Sequence, residues 1–465
     1  MQILPSGHGP AAPESAGLAL EPFHGVRYAQ EKVTGLAEVT SPPYDVIAHD
    51  TADKLLAADP HNVVRLILPR QEPGRPGGRY GGAARLLREW QDEGILVPDA
   101  EPALYVYEQH ADGQHADGQH PGAGDGPGSG GVVQRGLIGA LRLAPPGSRI
   151  VLPHEDVMPG PVAGRRQLME ATQANLEPIF LLYDGSHGGT GPSHSEATRL
   201  ADEVALTRPP LLSADTRDGM RHRLWAVTDP AEHARIAADL APRQALIADG
   251  NHRYAAYLEM QGRRRDAGDG LSPWDYGLAL LVDSAAYSPR IGAIHRVLPS
   301  LDPSEAVQRA KGAFAVRALP GGPAALAAAL ATLAAAGQHG AAFLVAGGGE
   351  IHLLTDPDPA QLAAAMPAGR SARWRGLAAS ALQELLLARW GIRDDERSVR
   401  VVHDDAARAI EEADETPGGT AVICTAVSPA EVYAVAAQGE RLPRKSTSFA
   451  PKPRTGLVMR TLASS

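Results

Sequence analysis

Short apolar runs alternate with amphipathic stretches along most of this chain. Residues 245–248 form an apolar run typical of a buried strand, and it ends at Asp249-Gly250. Aromatic and aliphatic residues then recur at i, i+3 and i+4 from Tyr254 onward, which predicts a helix with one apolar face. The sequence therefore predicts a strand that passes directly into a helix at this corner.

The same alternation extends over the rest of the chain. Apolar runs predict strands at 104–108, 133–143, 178–183 and 276–282, and helical periodicity predicts helices such as 80–94 and 161–176. Past residue 300 the composition shifts to Ala-rich helices and short strands, and Gly347-Gly348-Gly349 predicts a hairpin turn. We therefore expect an α/β to α+β fold with mixed sheets and flanking helices.

Four polar groups follow the apolar run at the corner. Asp249 is a candidate N-cap of the helix, and Gly250 lets the backbone approach a ligand closely. Asn251, His252 and Arg253 come next, at a helix N-terminus of the kind that binds anions. This combination of a carboxylate, an imidazole and a guanidinium suits phosphate chemistry that uses either a metal ion or a proton transfer. The alternative is a capped helix with an exposed His and Arg.

Two stretches in the first 70 residues carry further candidates. Pro42 and Pro43 forbid a helix and predict an extended path that ends at Tyr44-Asp45, either a ligand wall or a plain connection. Residues 62–68 read as a strand by their β-branched content, so Arg65 within it would be a buried charge that needs a partner.

A second polar cluster is His154-Glu155, just before the predicted helix 161–176 that carries Arg165. An adjacent imidazole and carboxylate beside an Arg-bearing helix would supply a base, a metal ligand and an anion clamp. The alternative is an ordinary loop with a surface acid.

The stretch 442–452 is dense in cations, hydroxyls and prolines. It would lay Lys445, Ser446, Thr447 and Lys452 along an anionic ligand, or else it is a basic surface tail.

Composition narrows the possible functions. Lys plus Arg number 44 against 54 Asp plus Glu, so a net charge of −10 argues against general nucleic-acid binding. Cys424, the single cysteine, lies in an apolar run and is expected to be a buried thiol. Without a long apolar segment or a secretory signal, we expect a soluble, cytoplasmic protein.

Two segments are expected to lack fixed structure. Residues 1–20 predict a disordered lead-in, and the low-complexity stretch 109–131 predicts a flexible hairpin insertion. His110, His115 and His120 recur in the insertion, but its Gly and Asp content disfavours a fixed metal cage.

Several stretches together resemble one family, the domain of unknown function 1015 proteins. The matching stretches are 23–28, 41–47, 62–66, 153–155, 175–183, 248–254 and 442–458, which span roughly residues 20–460 in order. Two departures stand out. Asn251 replaces the family's usual His after Asp-Gly, and Ser446-Thr447-Ser448-Phe449 replaces its usual Thr/Ser-Thr-Tyr-Phe segment.

The family's Asp-Gly-His-His-Arg pattern resembles a corner found in ParB- and sulfiredoxin-like proteins, which include kinases of free L-serine that use ADP or ATP. The resemblance implies that Asp249 would assist a Mg²⁺ ion, and that His252 and Arg253 would hold phosphate. Glu155 is the candidate base that takes the serine hydroxyl proton. The expected catalytic residues are therefore Glu155, Asp249 and His252, with an amide at Asn251 still able to donate to phosphate.

The chain is expected to divide into four segments. They are a lead-in at 1–20, an N-terminal α/β region at 21–150, a ParB/sulfiredoxin-like core at 151–300, and a C-terminal α/β region at 301–465 with its basic segment at 442–458.

The leading hypothesis is a nucleotide-dependent kinase of free L-serine or a related hydroxy amino acid, with possible Mg²⁺ and ADP or ATP as co-substrate. The alternatives are a nucleotide-binding regulator or adaptor without turnover, and a small-molecule phosphohydrolase. The expected partners are a small molecule and a nucleotide. The oligomeric state is left open.

Overall fold

The structure is a computed structural model, which describes residues 17–47, 49–71, 77–111, 131–145, 147–186, 195–268, 270–395 and 397–462. The predicted lead-in at 1–20 lies outside the described residues up to residue 16. The predicted insertion at 109–131 lies outside them from 112 to 130, and so do His115 and His120.

The strands are short to medium in length. In chain order they are β1 (Leu20–Glu21), β2 (Gly25–Tyr28), β3 (Leu96–Pro98), β4 (Leu104–Ala111), β5 (Gly131–Arg142), β6 (Val151–Leu152), β7 (Ala174–Asn175), β8 (Ile179–Tyr183), β9 (Leu212–Asp215), β10 (Met220–Val227), β11 (Ala245–Asp249), β12 (Tyr276–Asp283), β13 (Arg290–Gly292), β14 (Ile294–Leu298), β15 (Ala315–Leu319), β16 (Phe343–Gly347), β17 (Glu350–Thr355), β18 (Arg400–His403), β19 (Thr420–Cys424), β20 (Ser448–Ala450) and β21 (Met459–Thr461).

The α-helices alternate with the strands. They are α1 (Leu36–Val39), α2 (His49–Ala58), α3 (Val64–Ile67), α4 (Gly78–Asp92), α5 (Pro159–Thr172), α6 (Glu196–Thr207), α7 (Pro230–Leu240), α8 (Asn251–Asp266), α9 (Pro303–Ala310), α10 (Leu326–Gly337), α11 (Pro359–Ala365), α12 (Ala372–Arg375), α13 (Ala378–Ser380), α14 (Ala388–Trp390), α15 (Ala406–Asp414) and α16 (Pro429–Ala436). A π-helical segment, Ala381–Leu387, joins α13 to α14.

The described residues form two compact units. The first falls within Met1–Val151, Met158–Ser288 and Pro451–Ser465, and the second within Leu152–Val157 and Pro289–Ala450. The four segments expected from the sequence stay a prediction.

A large mixed sheet forms the centre of the first unit. Its strands run in the order β11-β8-β12-β5-β4-β10-β9, with β1 also paired to β5. The β8–β12 pair is parallel and its neighbouring pairs are antiparallel. Since β8, β11 and most of β12 are apolar and buried, this half of the sheet is covered on both faces. The strand β11 therefore leads from the core into α8.

A smaller sheet of the first unit, in the order β3-β2-β21-β7, contains the last described strand of the chain. Leu457, Val458, Met459 and Leu462 are almost fully buried there. The C-terminal stretch is thus part of the core of the first unit.

The second unit is built on an antiparallel sheet in the order β15-β17-β16-β19-β14-β18, and β13 pairs separately with β20. The predicted hairpin at Gly347–Gly349 is confirmed, because Gly347 pairs with Glu350 across a turn in which Gly348 and Gly349 both have positive φ. Strands and helices alternate in both units, so the predicted mixed α/β class is confirmed.

The predicted strand at 62–68 is wrong. Residues 64–67 form the helical turn α3, because the side chain of Asn62 accepts a hydrogen bond from the backbone N–H of Val64 at 2.9 Å and starts the turn. Tertiary packing overrides β-branched propensity here, since Val64, Leu66 and Ile67 are all buried. The predicted extended path after Pro42-Pro43 is also shorter than expected, because a 3₁₀ turn begins directly at Tyr44.

Within the part of the chain that the structure describes, no helix has both the length and the apolar character needed to cross a membrane.

Candidate functional site

The corner between β11 and α8 is shaped by a bulge and a glycine. The pairing of β11 with β8 shifts register between Ile247 and Asp249, and such a bulge redirects the side chain that follows it. Gly250 then adopts φ 93°, and a Cβ there would stand 2.9 Å from Cγ2 of Ile179. Only glycine fits this position without strain.

The prediction that Asp249 caps α8 is wrong. The N-cap is Gly250, which has no side chain that could accept a hydrogen bond from the first turn. The Asp249 carboxylate instead binds two cations, with Oδ2 on Nη2 of Arg253 and Oδ1 on Nζ of Lys452. Charged partners outcompete neutral amides for a buried carboxylate. The N-terminus of α8 therefore keeps its partial positive charge without a side-chain cap.

Arg253 is the centre of the corner and is only 2% exposed. Besides Asp249, its Nη1 donates to the carbonyl of Pro178 at 2.6 Å. Burial disfavours its charge, but Asp249 and Glu177 together raise the pKa of Arg253 above its ordinary value. Its Nε is buried without a hydrogen-bond partner, as is Oδ1 of Asn251. Two buried polar groups in one corner thus lack a partner, as expected where a ligand binds.

Lys452 comes from the returning C-terminal stretch of the first unit. Its Nζ contacts Asp249 and lies 3.7 Å from Oδ2 of Asp45. Burial opposes the charge, yet these two carboxylates raise the pKa of Lys452. The lysine is fixed through its own carbonyl, which accepts a 3.0 Å hydrogen bond from Nε2 of Gln109.

Tyr44 and Arg165 extend the cluster on the other side. The guanidinium of Arg165 lies 4.0 Å from the centre of the Tyr44 ring, and that of Arg253 lies 6.0 Å from it. Burial, and then Asp45, raise the pKa of Tyr44, which therefore stays a neutral phenol. Such stacking holds both guanidinium planes in place.

Glu177 is a member of this cluster that the sequence reading missed. Its Oε1 accepts from the backbone N–H of Tyr44 at 3.0 Å, and its Oε2 lies 3.6 Å from Nη1 of Arg165. Burial raises the pKa of Glu177 even though Arg253 and Arg165 oppose the shift. A usable signal was present, because Glu177 lies within the family-like stretch 175–183, immediately before Pro178.

His252 points toward the start of α5 and is half-buried. Its Nε2 accepts a hydrogen bond from the backbone N–H of Met158 at 3.1 Å. An accepting Nε2 is unprotonated, so the neutral ring carries its proton on Nδ1. This backbone hydrogen bond orients the imidazole.

Most of the predicted residues of the first unit thus come together. Six side chains form one ionic cluster with three positive and three negative formal charges: Asp45, Arg165, Glu177, Asp249, Arg253 and Lys452. Arg65 has a different partner, since its Nη2 donates to the carbonyl of Leu56 at 2.8 Å and so joins α2 to α3.

The other predicted residues form a separate cluster within the second unit. Nε2 of His154 lies 2.6 Å from Oγ1 of Thr447, and the Glu155 carboxylate accepts from the backbone N–H of Lys445 at 3.1 Å. The hydroxyl of Ser446 donates to the carbonyl of Pro443. The structure brings these residues together, whereas their predicted roles in binding or proton transfer stay predictions.

Comparison with known proteins now gives the family. The model of the family described as protein of unknown function (DUF1015) matches residues 20–380, most of the chain. The chain belongs to this family. The resemblance seen in the sequence is thereby confirmed, and both the 41–47 segment and the Asp249–Arg253 corner of this DUF1015 protein lie inside the matched range.

Solved structures similar to this DUF1015 protein are distant. A mutant free serine kinase in complex with ADP is 12% identical, with a TM-score of 0.33, and covers 66% of this chain and 89% of its own. SbnI from Staphylococcus aureus with a C-terminal truncation is 11% identical, with a TM-score of 0.34, covering 69% of this chain and 85% of its own. No curated protein matches this chain.

Proposed function

We propose that this protein is a nucleotide-dependent small-molecule kinase whose phosphate site is the Asp249–Arg253 corner, with free L-serine or a related hydroxy amino acid as acceptor. The observation that carries the proposal is the buried Nε of Arg253, which has no hydrogen-bond partner and lies in the first turn of α8, a helix whose N-cap is Gly250. A helix N-terminus with a guanidinium is a ready anion site.

Phosphoryl transfer depends mainly on positioning and on neutralising charge, and the corner is suited to both tasks. In the proposed reaction the serine hydroxyl oxygen forms a bond to the terminal phosphorus of ATP or ADP. The bond from that phosphorus to the bridging oxygen breaks, and ADP or AMP leaves. Arg253, Lys452 and the α8 amides would hold the phosphates, and the hydroxyl proton would pass to solvent water.

The residues present do not fit a resident magnesium site. Among the described residues there is no group of three or more His, Cys, Asp or Glu side chains that would hold a metal ion. Both oxygens of Asp249 are bound to cations, so a metal would have to displace Lys452 or Arg253. We therefore assign no step to a protein-bound metal. A Mg²⁺ ion that arrives with a nucleotide is held largely by phosphates and water.

The same pairing of Asp249 favours one alternative, a nucleotide-binding regulator without turnover. The Asp249 carboxylate is held between two cations, where it would position Arg253 and Lys452 for binding. The alternative predicts tight nucleotide binding with no product.

The test is incubation of the protein with MgATP or MgADP and isotope-labelled L-serine, followed by mass spectrometry for phosphoserine. We expect phosphoserine with at least one nucleotide, and about a hundredfold less with His252→Gln. His233→Gln is the matched control, because His233 on α7 also bonds backbone through its ring, at Val227.

Outcomes separate the hypotheses. No phosphoserine from the folded protein with either nucleotide would rule out serine as acceptor, and nucleotide binding without any turnover would favour the regulator. Release of inorganic phosphate without an acceptor would indicate a phosphohydrolase.

A further inference from the structure

A cavity of about 430 Å³ lies in the first unit, between α2, α3, α4 and α5. One wall is apolar and includes Ile47, Ala52, Leu56 and Leu68. Its volume falls in the range of about 300–1,000 Å³ that is typical of small-molecule sites. None of the residues identified above as site candidates from sequence lies in it, apart from Arg165.

Three guanidinium groups line the same cavity. Arg165 is 8% exposed and donates to the carbonyl of Ile67 at 2.8 Å. Arg79 lies 4.7 Å from the centre of the Tyr80 ring. Arg70 is paired at the surface with Asp53. No Asp or Glu occurs among the described lining residues, so the cavity favours an anionic ligand.

The cavity and the ionic cluster share residues. Arg165 lines the cavity and also contacts Tyr44 and Glu177 of the cluster. The segment after Pro43 also belongs to both, because Asp45 lies near Lys452 of the cluster and Ile47 lines the cavity. A ligand in the cavity would therefore meet Arg165 on the side that leads toward the α8 corner.

The chemistry of the lining narrows the ligand class. Free serine is too small to fill the space, and its ammonium group would find no carboxylate among the described lining residues. A nucleotide has a chemical group that suits each part of the cavity lining. Its base would pack on apolar side chains and on the stacked Arg79–Tyr80 pair, and its phosphates would meet guanidinium groups.

We infer that this cavity is the subsite for the base and ribose of an adenine nucleotide, and that Arg165 directs its phosphates toward the Asp249–Arg253 corner. The inference rests on the proposed nucleotide-dependent function for the choice of nucleotide. Beyond that function, the inference gives the location of the base and ribose, with Ala52, Leu56 and Arg79 as binding residues.

The experiment uses 8-azido-ADP as a photolabel and mant-ADP as a fluorescent probe on the full chain. We expect the label on peptides from residues 47–71 or 77–92, with protection by excess ADP. Ala52→Phe, which fills the cavity, and Arg79→Ala, which removes an exposed guanidinium, should each weaken mant-ADP binding about tenfold or more.

Matched controls lie on the same helices. Ala57→Phe on α2 and Arg85→Ala on α4 change exposed or half-exposed positions outside the cavity lining and should leave binding unchanged. Circular dichroism confirms that each variant is folded, and Arg79→Ala keeps the test decisive if Ala52→Phe misfolds.

The results also separate this inference from the kinase proposal. Labelling of the cavity without phosphoserine formation would support the subsite and contradict the kinase. A second set of results would overturn the subsite and leave the kinase proposal standing. In that case phosphoserine forms, the photolabel lies outside the cavity, and Arg79→Ala binds mant-ADP as tightly as the wild type. Absence of ADP binding would overturn both.

Discussion

At the scale of single residues, Lys452 is the most consequential side chain of the corner. It contacts Asp249 across 203 positions of sequence, and both side chains are largely buried. We predict that Lys452→Met destabilises the protein by about 3–5 kcal/mol, because breaking a buried pair leaves an uncompensated charge. Urea unfolding measures the free energy, and titration calorimetry should show loss of ADP binding.

A double variant separates stability from binding. Asp249→Asn combined with Lys452→Met removes both charges and should recover part of the lost stability, while ADP binding stays lost. Lys311→Met, at an exposed position of the second unit, is the control and should change neither quantity. Wild-type ADP affinity in Lys452→Met would contradict a phosphate role for this lysine.

Asn251 tests whether an unpartnered buried group marks a ligand site. Its Oδ1 has no hydrogen-bond partner, so Asn251→Ala should change the free energy of unfolding by less than about 1 kcal/mol. We predict that ADP binding nevertheless weakens about tenfold, as measured by calorimetry. A large stability loss with unchanged binding would instead assign Asn251 a structural role.

Glu177 makes stability depend on pH. Burial is the main cause that raises the pKa of Glu177 in the folded state. The stability that this shift contributes is fully present below the pKa of Glu177 in the unfolded chain, about 4.3, and is lost as pH rises through the folded pKa. We therefore predict that Glu177→Gln becomes more stable relative to the wild type as pH rises from 4 to 7. Urea titrations across that interval check the sign. If the difference in unfolding free energy between Glu177→Gln and the wild type is constant with pH, this prediction is contradicted.

At the scale of elements, the turn into α8 depends on Gly250. An alanine there would bring left-handed strain and a Cβ 3.1 Å from Nε of Arg253. We predict that Gly250→Ala costs at least about 1–3 kcal/mol and lowers ADP affinity. Thermal unfolding and calorimetry measure the two effects.

Gly268, beyond the other end of α8, is the matched control because its φ is +86° and a Cβ there would meet nothing within 4 Å. Gly268→Ala should therefore show the backbone strain alone, about 1–2 kcal/mol, with ADP binding intact. Equal effects of the two variants on ADP binding would show that contact at the corner is unimportant.

Local sequence pattern predicted the strand and the helix of this corner, because each depends on neighbouring residues. It did not predict how Asp249 would be used, since the competition between helix amides and Lys452 is decided by a distant segment. Glu177 was missed for the same reason, as its partners Tyr44 and Arg165 come from other elements. The error at 62–68 arose because Asn62 starts a turn in a stretch of high β propensity.

At the scale of the whole molecule, the chain returns to its first unit only at the end. After β20 in the second unit, residues 451–462 complete the first unit through Lys452 and β21. The ionic cluster therefore depends on a residue, Lys452, that follows the second unit in the sequence.

We predict that a chain ending at Ala450 loses cooperative unfolding of the first unit. It would lack four buried apolar side chains, Leu457, Val458, Met459 and Leu462, each worth about 1.5–3 kcal/mol. Their sum is comparable to the whole stability of a typical domain, about 5–15 kcal/mol. Scanning calorimetry tests this, and a first-unit transition that survives truncation would contradict it.

The most direct test of the phosphate site is amide hydrogen exchange of the full chain with and without saturating ADP. We predict slower exchange in the first turn of α8, at Asn251–Arg253, where the N-cap residue is Gly250. Bound ADP that leaves exchange at these amides unchanged would contradict the assignment of the Asp249–Arg253 corner as the phosphate site.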